Sequence, residues 1–329
     1  MELTWINKLR IAAVASLGIV VIGLWAWPLA APADPLSPVR ASNVSPSGTM
    51  TLLLLAFGLG CAGYFIAWPH GREIGILAVP FGLMVWAGRC GPMRVLTQAC
   101  KQPYERETLA SSLRFEPIYW LLVVAAGFAG VLLAQYLRGV RKATDEEGAG
   151  VGTEKGKSTH AWVPKRDPSR LRSPSDLLKF APSHSPSSLL SGLLALGATV
   201  PLAHFLVGVF AQDVATSRNV MPTQPPIGQL LFAVMAAFAV PTFAIKKFAD
   251  LSYIWPMIAS AFIIVFAQAM YCHAETVRQL AETRPATFFP HSALTILPVQ
   301  FVALGTLGSV LGYWMAVRYD WWRKHESAG

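Results

Sequence analysis

The chain has 329 residues, of which 53% are hydrophobic and only 14% charged, and its mean hydropathy is +0.45. An ordinary soluble domain carries about 25% charged residues, so the composition excludes that class. The net charge of +9 would suggest nucleic acid in a soluble chain; here the apolar residues gather in runs of about 18–22, long enough to cross a hydrocarbon core as helix, and no nucleic-acid partner is expected.

Inside a bilayer only helices and closed barrels satisfy their own backbone. The runs are continuous rather than alternating, which argues against a barrel. The predicted fold class is therefore all-α: a polytopic transmembrane helical bundle of about eight spans.

The first predicted span is Ile11 to Trp27. Lys8 and Arg10 before it and Ala31-Pro32-Ala33 after it also fit a cleavable signal peptide. A retained span is expected, because the repeat described below gives it a partner. Asn43-Val44-Ser45 matches a glycosylation sequon, which has meaning only in a eukaryote.

The second span is Met50 to Trp68, the third Ile74 to Gly91 and the fourth Pro117 to Leu137. Arg138 to Ser188 is rich in Ser, Pro, Lys, Arg and Gly and too poor in apolar residues to build a core, so it is expected to be disordered. Its basic stretch, Lys165 to Lys179, suits a solvated linker that also rests on anionic headgroups. The remaining spans are Leu189 to Phe210, Ile227 to Ile245, Tyr253 to Cys272 and Leu297 to Val317. The chain thus divides into a four-helix unit at 1–138, a linker at 139–188 and a second four-helix unit at 189–329.

The two units echo each other at an offset of about 180 residues. Pro46 and Gly48 open the second span as Pro226 and Gly228 open the sixth. Pro80 interrupts the third span and Pro256 the seventh; Pro117 begins the fourth and Pro298 the eighth. Gly127 and Gly130 match Gly305 and Gly308. Four spans per copy make the repeats parallel, related by a two-fold along the membrane normal. Each copy has its longest external loop after its third span, and Met93 to Ala110 and Glu275 to Thr283 are helix-compatible.

Placing both termini and the linker on one side puts 18 of the 27 Lys and Arg there. The positive-inside rule then makes that side cytoplasmic, and a bacterial inner membrane is the expected location. Trp25, Trp27, Trp68, Trp120, Trp321 and Trp322 fall near span ends, where amphipathic rings prefer the interface.

Candidate chemistry is sparse. No Asp or Glu lies deep in any span. His204 is the clearest interior titratable group; a hydrogen-bonded packing role competes with ligand binding. His70 and His273 fall at span ends, so no bis-histidine haem site is expected. Gln135, Gln229, Gln268 and Gln300 suit interhelical hydrogen bonds, and Ala126/Gly130 and Gly308/Gly312 make small-residue packing faces. Pro80 and Pro256 mark a candidate binding region, because helix breaks at matching positions of two repeats often border a transport site. Cys90 and Cys100 lie on the predicted external side, where a disulfide and two free thiols are both open. Arg89, Arg94, Glu105, Glu107, Glu116, Glu275, Arg278 and Glu282 form a mixed external surface. No catalytic motif, metal-ligand spacing or cofactor motif is present, so an enzyme is not expected.

Two functions fit. One is a transporter- or permease-like protein moving a small or lipophilic solute between the repeats. The alternative is a non-catalytic scaffold or anchoring subunit that holds a protein partner through its external loops or cytoplasmic linker. In both, the lipid bilayer is a partner.

Overall fold

The computed structural model describes residues 5–34, 36–100, 102–148, 186–212, 225–249, 254–283 and 292–326. Among these, every regular element is helical. The first is α1, Trp5–Gly18, which continues as a π-helix over Ile19–Trp25. Then come α2 (Pro46–Ile66), α3 (Gly71–Gly75), α4 (Ala78–Arg89), α5 (Met93–Ala99), α6 (Pro103–Arg114) and α7 (Glu116–Gly148). The second half contains α8 (Pro186–Phe210), α9 (Ile227–Ala249), α10 (Ile254–Tyr271), α11 (Ala274–Thr283) and α12 (Pro298–Glu326).

Helix starts follow local chemistry. The Ser45 hydroxyl accepts the Gly48 N–H at 3.0 Å, with Pro46 at the first helical position of α2, where a missing N–H costs nothing. Gln102 and Glu105 form a reciprocal capping box ahead of α6. At α12, Gln300 Oε1 accepts the Leu297 N–H at 3.1 Å, just before Pro298.

Five segments are long and apolar enough to cross a membrane: Trp5–Trp25, Pro46–Ile66, Pro103–Gly139, Ile227–Phe248 and Pro298–Asp320. Gly197–Phe210 and Ser260–Met270 are shorter apolar helices. The chain is thus an all-α protein with membrane-spanning helices. Its outward faces are apolar too: Leu54, Phe205, Phe232 and Phe262 are all exposed, as lipid-facing residues would be.

The third expected span, Ile74 to Gly91, differs. It is split, with α3 ending at Gly75 and α4 beginning at Ala78. Pro80 is the cause: it has no N–H for the carbonyl of Ile76, and its ring crowds that carbonyl. What remains, α4, has 12 residues, or about 18 Å at 1.5 Å per residue. The linker expected from residue 139 also differs, because α7 runs on to Gly148. Residues 140–147 contain good helix formers and no proline, so the helix propagates past Gly139. The disorder expected of the linker, including Lys165 to Lys179, falls on residues outside those described. The short helices expected after the third and seventh spans are present as α5, α6 and α11.

Packing runs in pairs. α2 lies along α7, and α9 lies along α12; α8 packs on α9 and α10, and α4 on the π-helical stretch. The pairs touch backbone to backbone. A methyl group at Gly60 would strike the Gly127 carbonyl, and one at Gly130 the Phe57 carbonyl. A methyl at Gly308 would lie 2.5 Å from the Met235 carbonyl, and one at Gly312 would strike the Ala239 carbonyl. In a bilayer such contacts replace the hydrophobic effect as the source of helix association.

α12 joins the halves. It packs on α9 and α10 of its own half and on α4 and α7 of the other. Residues 293–310 are buried without interruption, so this stretch is enclosed by protein on every side. A helix buried all round belongs at the centre of a bundle.

Candidate functional site

The main polar cluster forms where the α1–α2 loop, α6 and the start of α7 meet. Arg40, on that loop, donates from Nη2 to Ser112 Oγ at 2.6 Å, and its Nε lies 3.6 Å from Glu116 Oε2. The other Glu116 oxygen accepts the Ala41 N–H at 2.8 Å. The Glu116 side chain is only 3% exposed. A carboxylate so enclosed needs a cation and hydrogen bonds to offset its lost hydration, and the loop supplies both. Sequence reasoning placed Glu116 among solvated external charges; the structure buries it. The available signal was its position, immediately before Pro117 and one turn before Trp120.

Deeper in, three indoles run in series. Trp120 and Trp86 are fully buried with ring centroids 6.0 Å apart, and Trp86 meets Trp27 at 6.3 Å, both edge to face. The Arg89 guanidinium stands 4.6 Å over the Trp27 ring. The second half enters at this level. Gln300 Nε2 on α12 donates to the Ala87 carbonyl of α4 at 3.0 Å. Just past α10, Cys272 Sγ donates to Oε1 of Gln268 on that helix at 3.2 Å and lies within the electrostatic reach of Arg114 and Glu116. Gln268 Nε2 and Trp86 Nε1 are buried without a hydrogen-bond partner.

Above this cluster α6 and α11 pack together, one from each half. Ala110 and Leu113 of α6 and Val277 of α11 turn inward. Arg278 pairs with Glu282 at 3.1 Å on the exposed side, in the field of Glu107. The mixed external charges expected from both halves therefore meet on one surface. Exposed Tyr104 and Phe115 lie on the same segment.

The other expected site residues fall apart. Pro80 is buried at the third position of α4. Pro256 lies near the first described residue of α10, and no break within the described part of that helix accompanies it. The prolines that lie inside helices are Pro201 and Pro241. His204 is half-buried on α8 and has a partner. Cys90 and Cys100 are free thiols, as are Cys61 and Cys272. Burial, and then the charge of Glu105, pushes the Cys100 thiol above its ordinary pKa. Of the four glutamines, Gln229 and Gln300 bridge helices: Gln229 Nε2 donates to the Phe210 and Gln212 carbonyls at 3.1 and 2.8 Å.

The geometry defines an all-α membrane protein whose polar interior groups lock elements together. No protein-family model, curated protein or solved structure matches the chain.

Proposed function

We propose that the chain is a non-catalytic scaffold or anchoring subunit of a membrane complex, presenting the paired α6–α11 surface to a protein partner. One observation carries this reading: α12 is sealed by protein from Pro298 to Val310. A solute path between the halves would have to run along that helix. Of its buried polar groups, Gln300 and Thr306 bond to backbone carbonyls at 3.0 and 2.8 Å, while Ser309 Oγ has no partner.

The reading includes eight spans in two tandem sets of four, with both termini in the cytoplasm of a bacterial inner membrane. Spatial equivalence supports the duplication. Gly130 meets Phe57, and Gly308 meets Met235, with both partners shifted by 178 positions. The same shift relates the Gly60–Gly127 contact to the Phe238–Gly305 contact. The 18-to-9 division of Lys and Arg supports the orientation.

Affinity purification of the tagged chain from its native membrane tests the reading. A stable partner is expected, lost when Met93 to Arg114 and Ala274 to Thr283 are replaced by Gly/Ser linkers. Solitary purification would overturn it.

Transport of a small or lipophilic solute is the second reading, favoured by the helix break before Pro80. Cysteines placed at Thr306 and Ser309 separate the two. Protection from a water-soluble thiol reagent supports the scaffold; labelling from both sides of the membrane supports transport.

A further inference from the structure

We propose that the surface where α12 emerges from the bundle, at the end opposite α6 and α11, binds an anionic phospholipid. The observation is a pair of cations held on aromatic platforms around one shared apolar cluster.

The unbroken burial of α12 ends at Val310, with Gly312 and Ala316 still buried beyond it. Leu311 and Met315 are exposed, and Tyr313 and Trp314 are half-buried. These last two pack on a cluster separate from the main core, built from Tyr64 of α2, Ile76 and Leu77 at the break before α4, Val131 and Ala134 of α7, and Val310 of α12. Half-buried Trp68, Phe81 and Phe128 pack on the same cluster. Both halves of the chain thus line one partly open apolar surface, of a kind that suits acyl chains and a glycerol backbone.

Cations stand at its rim. The Arg138 guanidinium lies over the Trp68 ring at 2.9 Å from the centroid, and Lys246 Nζ lies 5.3 Å from that of Tyr313. Lys247 stands 4.4 Å over Tyr319 nearby. Among the described residues no carboxylate pairs with Arg138. The contact with the ring is no hydrogen bond to a carboxylate, and guanidinium N–H donors match phosphate oxygens. At this end Arg72, Arg138, Lys246, Lys247, Arg318 and Arg323 outnumber Glu73 and Asp320 among the described side chains. Apolar lining beneath and unbalanced positive charge at the rim complement a lipid that carries a net negative headgroup. The inference holds whether the protein scaffolds or transports.

Native mass spectrometry of the full-length chain in detergent tests it, with phosphatidylglycerol and phosphatidylcholine of identical acyl chains added in turn. Phosphatidylglycerol should be retained preferentially. Arg138→Gln should weaken its retention about five-fold, the factor that corresponds to one cation at a membrane surface. Arg89→Gln removes the same charge at the opposite end and should leave retention unchanged. Equal retention of the two lipids, or equal loss in the two variants, would overturn the proposal. So would full competition by inorganic phosphate, which would mean that no lipid tail is needed. If Arg138→Gln does not fold, a photo-crosslinkable phosphatidylglycerol on the unaltered chain decides: adducts near Trp68 or Tyr313 support the proposal, and adducts confined elsewhere overturn it.

Discussion

Gln300 reaches from α12 across to the last turn of α4, where its Nε2 donates to the Ala87 carbonyl at 3.0 Å while its Oε1 accepts the Leu297 N–H at 3.1 Å. One buried amide therefore caps two helix ends in different halves of the chain. Gln300→Leu keeps the bulk and leaves both backbone groups without their partner, at about 1–3 kcal/mol for each buried group left unsatisfied. A lower melting midpoint in detergent is expected; an unchanged midpoint would show that the amide does not couple the halves.

Arg40 and Glu116 are held together by burial on one side and solvent on the other. Glu116→Ala removes the acceptor for the Ala41 N–H and the counter-charge of Arg40. Because Arg40 is 20% exposed, the cost should stay near roughly 1–3 kcal/mol, below that of breaking a fully buried pair. In a double-mutant cycle with Arg40→Ala, the combined loss should be smaller than the sum of the two. Strict additivity would mean that the two side chains do not interact.

Helix association through glycine gives a sharper contrast. Gly130→Leu drives a side chain into the Phe57 carbonyl, whereas a Cβ at Gly58 meets nothing within 4 Å. Overpacking of this kind costs about 1–3 kcal/mol and sometimes more. Gly130→Leu and Gly308→Leu should therefore broaden or lose the monodisperse size-exclusion peak, while Gly58→Leu keeps it. Equal tolerance of all three would refute backbone-to-backbone packing.

Cys100 should be slow to alkylate. Its raised pKa, caused by burial and then by Glu105, leaves less thiolate at neutral pH than a free cysteine has, and thiolate is the reactive form. Maleimide labelling followed by mass spectrometry should speed up as pH rises above the ordinary thiol range. A Cys90–Cys100 cross-linked peptide, resistant to labelling until reduced, would contradict the free thiols seen here.

Much of the bundle was legible because lipid-crossing helices advertise themselves. Pro46–Ile66 and Ile227–Phe248 read directly from uncharged apolar runs. Pro80 was also informative, since the helix breaks just ahead of it. Hydropathy could not find Glu116, because whether a carboxylate at a helix start faces water depends on where a distant loop places Arg40. Nor could it distinguish α12 from its neighbours. All these helices are apolar, and only the tertiary contacts separate a face that meets lipid from one that meets protein.

That enclosure bears on how the protein is made. α12 follows α4, α7, α9 and α10 in the chain, and all four contact it. It must therefore enter a socket whose walls have already been synthesised. Until it does, the faces of α4, α7, α9 and α10 that it covers have no protein against them, and the Ala87 carbonyl lacks the Gln300 amide.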